Sequence, residues 1–538
     1  MKKLVSLLLV AVICVSLVAC GGAKTDATTP TTAPAATTDN SNAPAPTQEE
    51  PTTSGPVSGG EINIPITDDP TTLQGWMVRN TNEGTVAPAI YETLLAYDNS
   101  GIPQPYLLES FEGNAEALTY TLVVKEGITF QDGTPLDAEA VKWNLDYYKE
   151  NGVLTGSYFK DVDSVEVVDD KTVVIHMANW DALFNYGLAR TCFICSPTAV
   201  EKLGADGFNE TPVGTGPFKV TKWVHGEGIY TEAYADYWQG KPYLDAVNFK
   251  IYASTATQQA AMEVGDLDIM YLTGDAVTAD SMEAKGYKIT TAAIPDSGHT
   301  LCFNSKAEGP LTDVRVRQAI ALAVDVESIN AALLSGGKYG TSSTQWAVST
   351  SGEYFDIEGY GYDVDKAKSL LAEAGYEDGF DLTINFQVGD FAKSVCQIIQ
   401  AELGEIGINV TLNQIEVANY ANYLGEWDGI LYHPMGLSNG QYSQISANMI
   451  PGARFGSETF LHDDESVALI REAVSSDAAT MKKDLGRVVE ILFQENVELY
   501  PVSIIYGTAV INPALHDGNI NVGRSKSADW HLIWKEAN

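Results

Sequence analysis

Residues able to do chemistry are sparse in this sequence, and their spacing decides what each could do. Gly436-Leu437-Ser438-Asn439-Gly440 fits the G-x-S-x-G pattern, which in a nucleophile elbow holds the serine on a strained turn between strand and helix, with an acid and a histidine later in the chain. Here Asn439-Gly440 is an ordinary turn signal and Pro434 interrupts the approach to Ser438. Ser438 is kept only for an alternative, hydrolytic reading, and no residue is assigned as catalytic. Cys192-Phe193-Ile194-Cys195 has the spacing of a redox pair or of half a zinc site, but a structural zinc site takes a second ligand pair. The seven histidines show neither HxxxH nor HExxH spacing, so no metal and no cofactor is assigned. Cys302 and Cys396 lie in apolar runs. The cysteines read as buried thiols, with a disulfide left open for an exported chain.

Another cysteine has a different context. Met1-Lys2-Lys3 supplies a positive start and residues 4–19 an apolar stretch too short for a comfortable membrane span. The stretch ends in Leu17-Val18-Ala19-Cys20-Gly21, which resembles a bacterial lipobox. Residues 1–19 are therefore read as a signal peptide and Cys20 as the lipidation site. Residues 20–59 hold the lipidated cysteine and a tether, whose residues 23–59 are mostly Thr, Ala, Pro, Ser and Asn, a composition that cannot offset the entropy of folding. As a flexible coil of about 37 residues this tether spans roughly 30–35 Å. No later segment offers about 18 consecutive apolar residues.

The elements that must position any site come from what remains, about 480 residues, more than one core usually accommodates. Two or more lobes are expected. The net charge of −39 argues against nucleic acid and against adhesion to anionic lipid surfaces, since both need a basic face. Residues 60–66 alternate like a strand, and 67–76 break into a loop at Asp, Pro and Gly. Residues 119–136 read as two strands with Asp132-Gly133 as the turn, and Asp137 caps a helix bearing Val141, Leu145 and Tyr148. Residues 381–388, a helix with Val395, Ile399, Leu403 and Ile406 on one stripe, and the alternating Ile408, Val410 and Leu412 make a strand-helix-strand unit, so the two strands are parallel neighbours. Two further helices follow Asp313 and Asp363.

Several segments together resemble the bacterial extracellular solute-binding proteins of family 5, which bind dipeptides, oligopeptides and nickel. These are residues 120–141, the glycine turn VGTGPFKVTKW (213–223), DYWQGKPYLDAVNF (236–249), the FN strand and VRQA helix of 301–329, and YDVDKAKSLLAEAGYEDGF (362–380). The resemblance implies a two-lobe α/β periplasmic-binding-protein-like fold of the large type, with an extra β-rich subdomain inserted in the first lobe. It places lobe I at 60–98, 213–299 and 505–538, the insertion at 99–212 and lobe II at 300–504, with crossings near residues 293–304 and 497–510. It implies a lipid-anchored, extracytoplasmic, monomeric binding component of an ABC importer, working with permease and ATPase subunits.

The same resemblance turns certain loops toward the cleft. In residues 67–85 these offer Trp76, Asn82 and Glu83; in 295–300, Ser297, Gly298 and His299; in 387–393 and 432–442, Gln387, Asp390, Phe391, His433, Met435 and Tyr442. Trp346 and Tyr442 join Trp76 as aromatic platforms. Dipeptide-binding members hold the ligand's amino terminus with an acid in the segment matching 431–444 and its carboxylate with an arginine in the loop matching 387–393. Here the first segment has no Asp or Glu and the second only Lys393. An unpaired buried charge costs several kcal/mol, so the departure argues against a zwitterionic dipeptide in that pose and leaves longer peptides or neutral oligosaccharides.

Overall fold

The computed structural model describes residues 55–538 apart from 80, 154–157, 191, 438, 454, 457–458, 461, 521–527 and 537–538. The signal segment, Cys20, most of the tether and Ser438 lie outside the described residues.

β1 (Glu61–Ile66) buries Ile62, Ile64 and Ile66. A separate antiparallel sheet follows, built from β2 (Leu108–Asn114), β3 (Thr119–Val124), β4 (Val162–Val167) and β5 (Thr172–Met177) in the order β2-β3-β5-β4. Between β3 and β4 runs α1 (Ala138–Asn151), whose cap Asp137 accepts from the Ala140 amide at 2.9 Å. The second strand expected within 119–136 does not form; Thr129 and Pro135 make a single bridge. Pro135 has no N–H to give a ladder, and Gln131 turns inward to donate to the carbonyls of Ile90, Gly216 and Phe218. That side chain ties the insertion to the glycine turn. At Gly214 an added Cβ would stand 2.3 Å from the Ile90 carbonyl oxygen, and at Gly216 2.6 Å from its carbon, so backbone packed on backbone explains both glycines. α2 (Phe184–Arg190) follows the insertion's last strand. β6 (Phe218–Val224), β7 (Gly228–Ala233) and β8 (Ala246–Ile251) then complete the sheet of lobe I in the order β1-β8-β7-β6, with β1 parallel to β8.

The largest sheet spans both lobes. β9 (Ile269–Thr273) and the long β10 (Lys288–Phe303) lead into α3 (Val314–Ala323) and α4 (Val364–Glu373), capped by Asp313 and Asp363 as their sequences indicate. Next come β11 (Phe380–Gln387), α5 (Asp390–Glu405), β12 (Ile408–Ile415) and β13 (Ile430–Gly436), then α6 (Gly440–Asn448), α7 (Asp464–Val474) and the long β14 (Leu499–Ile511). Their order is β9-β14-β10-β13-β11-β12. β11 and β12 are parallel in the register Phe380↔Ile408, the strand-helix-strand unit read from the sequence. Lys288–Thr291 of β10 pair with Thr508–Ile511 of β14 beside β9, whereas Ser297–Phe303 pair with β13. The register shifts between Thr291 and Pro295 and again between Pro295 and Ser297. Two through-running strands thus join the lobes, and extra residues of β10 break the register of their pairing where Pro295 faces Tyr506.

Lobe I has a core under β1 and β8 that extends through the insertion. In lobe II, α3, α4 and α5 cover one sheet face, while α6, α7 and Trp346 cover the other. The four cysteines of the described residues, Cys192, Cys195, Cys302 and Cys396, are free and buried, and burial raises each thiol's pKa.

Candidate functional site

The second of the lobe II cores includes Leu183 and Tyr186, which belong to the insertion. Apolar packing therefore carries the chain of one lobe onto the other, and polar bonds follow the same seam. The Trp180 indole N–H donates to the Ser476 carbonyl at 2.7 Å, and the Ala182 amide to the Val474 carbonyl at 2.8 Å. These bonds take up carbonyls at the C-terminal end of α7, which have no partner inside the helix. Trp180 is held for this by stacking on Tyr120, centroids 4.4 Å apart. Nearby, the Gly352 amide donates to the Ser100 carbonyl at 2.9 Å, and Asn439 Nδ2 to the Tyr158 hydroxyl at 2.8 Å.

Glu353 stands at the centre of this seam, 1% exposed. Its carboxylate accepts from the Gln441 and Tyr442 amides in the first turn of α6. The approach is so close that a Cβ at Gly440, which has φ +80°, would lie 2.4 Å from the carboxylate oxygens, so glycine is required there. Across the seam Tyr186 faces the same carboxylate, and its hydroxyl pKa is raised well above the usual value, by burial first and then by the Glu353 charge. The Tyr158 hydroxyl is likewise raised by burial, an effect that the neighbouring Arg190 guanidinium and the bond from Asn439 oppose.

Around these residues lie buried polar atoms with no hydrogen-bond partner among the described residues: Asn185 Oδ1, Asn439 Oδ1, Gln441 Oε1, the Tyr442 hydroxyl, Ser443 Oγ and Ser446 Oγ. Elsewhere, Ser297 Oγ on β10 and the Tyr271 hydroxyl on β9 are in the same condition. Buried polar groups are ordinarily paired, and each one left unmet costs about 1–3 kcal/mol. Their concentration here marks a surface awaiting polar company.

Of the residues read from the sequence, Ser297 and Tyr442 are among these atoms. Phe391 reaches the seam, its ring 3.9 Å from where a Cβ of Gly274 in lobe I would stand. Gly298 is wedged against Trp346, Ile504 and Leu437. Trp76 requires correction as a platform: it is buried in lobe I, stacked on Phe208 and edge-on to Tyr147. Trp346 does too, since it is 1% exposed, donates its indole N–H to Thr300 Oγ1 and meets Phe493 edge-on. Glu83 is not a free charge, for it accepts from the Arg79 amide and the Thr71 hydroxyl, and Asn82 accepts from the amide and hydroxyl of Thr67.

His299 pairs with the Tyr432 hydroxyl at 2.9 Å and His433 with that of Tyr420 at 2.7 Å. Burial pushes their pKa values down to about 3 and about 4, so both are neutral structural rings. Met435 is buried in the core beside α6, Gln387 ends β11, and Asp390 is an exposed residue of the first turn of α5. Sequence reasoning missed Tyr158, Tyr186, Arg190, Glu353, Asn439 and Gln441. The one available signal was Asn439-Gly440, taken as a mere turn.

Comparison with known proteins gives the frame. Residues 103–448 match the family described as bacterial extracellular solute-binding proteins, family 5 Middle. The glutathione-binding protein GsiB of Salmonella paratyphi A is 28% identical over 367 residues, 67% of this chain and 70% of that protein. Among solved structures, the ABC transporter substrate-binding protein CtaP of Listeria monocytogenes superposes with a TM-score of 0.79 at 22% identity, covering 89% of this chain and 99% of that one. The oligopeptide-binding protein AppA of Bacillus subtilis, in complex with a nonapeptide, gives 0.67 at 23% identity, covering 90% and 100%. These likenesses establish the two-lobe fold with its inserted subdomain.

Proposed function

The chain belongs to the bacterial extracellular solute-binding proteins, family 5, and from that membership we propose that it captures a peptide-like solute at the seam between its lobes. It is an extracytoplasmic ABC-transporter substrate-binding protein, from a family of transport proteins rather than enzymes. The observation that carries the reading is the meeting of both lobes around buried polar atoms. Tyr158, Tyr186 and Asn185 come from the insertion of lobe I, and Glu353, Asn439, Gln441 and Tyr442 from lobe II.

In this reading the solute enters an open form, closure about the irregular pairing of β10 and β14 desolvates it, and the closed form docks on a permease. A ligand favours closure only by its extra affinity for the closed state, which contacts drawn from both lobes supply. The lipobox-like sequence supports a lipid on Cys20, with residues 20–59 as tether. The lobe boundaries proposed are those of the sequence reading, and the protein works as a monomer. A peptide-like ligand is supported by the relatives, whose names record glutathione and a nonapeptide.

The test is mass spectrometry of ligand co-purified with the tethered protein, followed by thermal shift against a peptide library. A ligand present at about 100 times its dissociation constant adds about 2.7 kcal/mol. Absence of both retained solute and any stabilising peptide would remove the reading.

A further inference from the structure

The polar atoms without partners are not chemically mixed. Asn185 Oδ1, Asn439 Oδ1 and Gln441 Oε1 are carbonyl oxygens, able only to accept, and the hydroxyls of Tyr442 and Ser443 can accept or donate. The orientation of the Gln441 amide is fixed, because its Nε2 donates to Gln345 Oε1 at 2.9 Å and to the Glu353 carbonyl at 3.0 Å. Asn439 is held in the same way by the bond from its Nδ2 to Tyr158. Both acceptors therefore stay unmet among the described residues. Gln441 is 1% exposed, Tyr442 2%, and Asn439 and Ser443 8% each, so bulk water does not serve them.

Negative charge is excluded from the same place. The N-terminus of a helix ordinarily attracts an anion through its free amides. In α6 those of Gln441 and Tyr442 are taken by the Glu353 carboxylate, which leaves a negative charge where a ligand carboxylate would otherwise sit. Arg190, the nearby cation, is turned to the Tyr158 hydroxyl.

We propose that the first turn of α6 is a subsite for an uncharged, donor-bearing part of the solute, an amide N–H or a sugar hydroxyl, and that it rejects a carboxylate. This rests on the solute-capture reading and narrows it. It excludes a dipeptide carboxylate from α6 and admits the interior of a longer peptide or a neutral sugar.

The experiment titrates the intact protein by calorimetry with three probes: a tripeptide acetylated and amidated at its ends, the same tripeptide with free termini, and a neutral trisaccharide. The capped peptide or the trisaccharide should bind at least about tenfold more tightly than the free peptide, about 1.4 kcal/mol, and which of the two binds identifies the source of the donors. Tyr442→Phe, which removes only an unpartnered hydroxyl, should weaken that binding while leaving the melting temperature of the ligand-free protein unchanged or raised. Equal or tighter binding of the free-ended peptide overturns the proposal, as does a lowered ligand-free melting temperature in Tyr442→Phe, or binding by none of the probes. Tight binding of the free-ended peptide would leave solute capture standing, whereas failure of every probe together with absence of co-purified solute would remove both.

Discussion

His299 and His433 make stability depend on pH in a direction that can be worked out. In the fold, burial pushes their pKa values from the ordinary 6.5 down to about 3 and about 4. The unfolded chain takes up protons below pH 6.5 while the folded rings stay neutral, so the contribution is complete above that pH and is lost as the pH falls toward the folded values. Each ring then costs about 1.4 kcal/mol per pH unit, or at most about 2 kcal/mol at about pH 5. Glu402 and Glu498 oppose this trend, since burial raises both to about 7. Their contribution is complete below the carboxylate's ordinary pKa and fades as the pH rises through about 7. The wild-type profile is therefore flattened, and the clean measurement is a difference. His299→Asn keeps a polar atom near the Tyr432 hydroxyl but cannot titrate. Urea denaturation at neutral pH should show the variant less stable than wild type, with the gap narrowing by up to about 2 kcal/mol by about pH 5. A gap constant across that range would refute the assignment of His299 as a neutral, half-buried ring.

Four other outcomes are expected. Gly214→Ala, which drives a Cβ to 2.3 Å from the Ile90 carbonyl, should cost about 3 kcal/mol in chemical denaturation, and near-neutrality would contradict the packing at the glycine turn. Arg317→Met strips a buried guanidinium from the carbonyls of Leu311 and Asn496 and from Glu498 at 3.7 Å, a loss of about 3–5 kcal/mol that adding Glu498→Gln should partly recover in the same assay. The four buried thiols should ignore a thiol-reactive dye until denaturant is added, and one fast-reacting cysteine in the native protein would be evidence against the described core. Trp180→Phe keeps the stack on Tyr120 but deletes the bond to Ser476, weakening the lobe contact by about 1 kcal/mol, about fivefold in the opening equilibrium; small-angle scattering should report a larger open fraction, and an unchanged curve would count against a role of this bond in holding the lobes together.

Periodicity and caps were legible because they are local. Asp137, Asp313 and Asp363 cap their helices, and Val395, Ile399 and Leu403 are buried on one stripe of α5. The site was far less legible, because its members are brought together by closure between segments distant in sequence. Tyr158 meets Asn439 across 281 positions, and no spacing rule reaches that far. Aromatic residues misled in a consistent way: Trp76 and Trp346 stand near loops in the sequence, yet both are buried, since large rings contribute more to a core than to a platform. Glu353 was overlooked because a carboxylate in a loop ordinarily reads as solvated, and only the fold shows α6 pointing its amides at it.

The strands that run through both lobes also bear on how the protein comes into being. β9 and the first half of β10 find their partner only in the far end of β14, with Ile269 and Lys288 both opposite Ile511. A nascent chain that has emerged short of that point carries unpaired strand edges and no closed central ladder, and pairings this distant in sequence form slowly. The sheet of lobe I and that of the insertion can close early, from residues 61–251, whereas β9 and the first half of β10 must wait for lobe II to be made and become rigid only when a late segment threads between them.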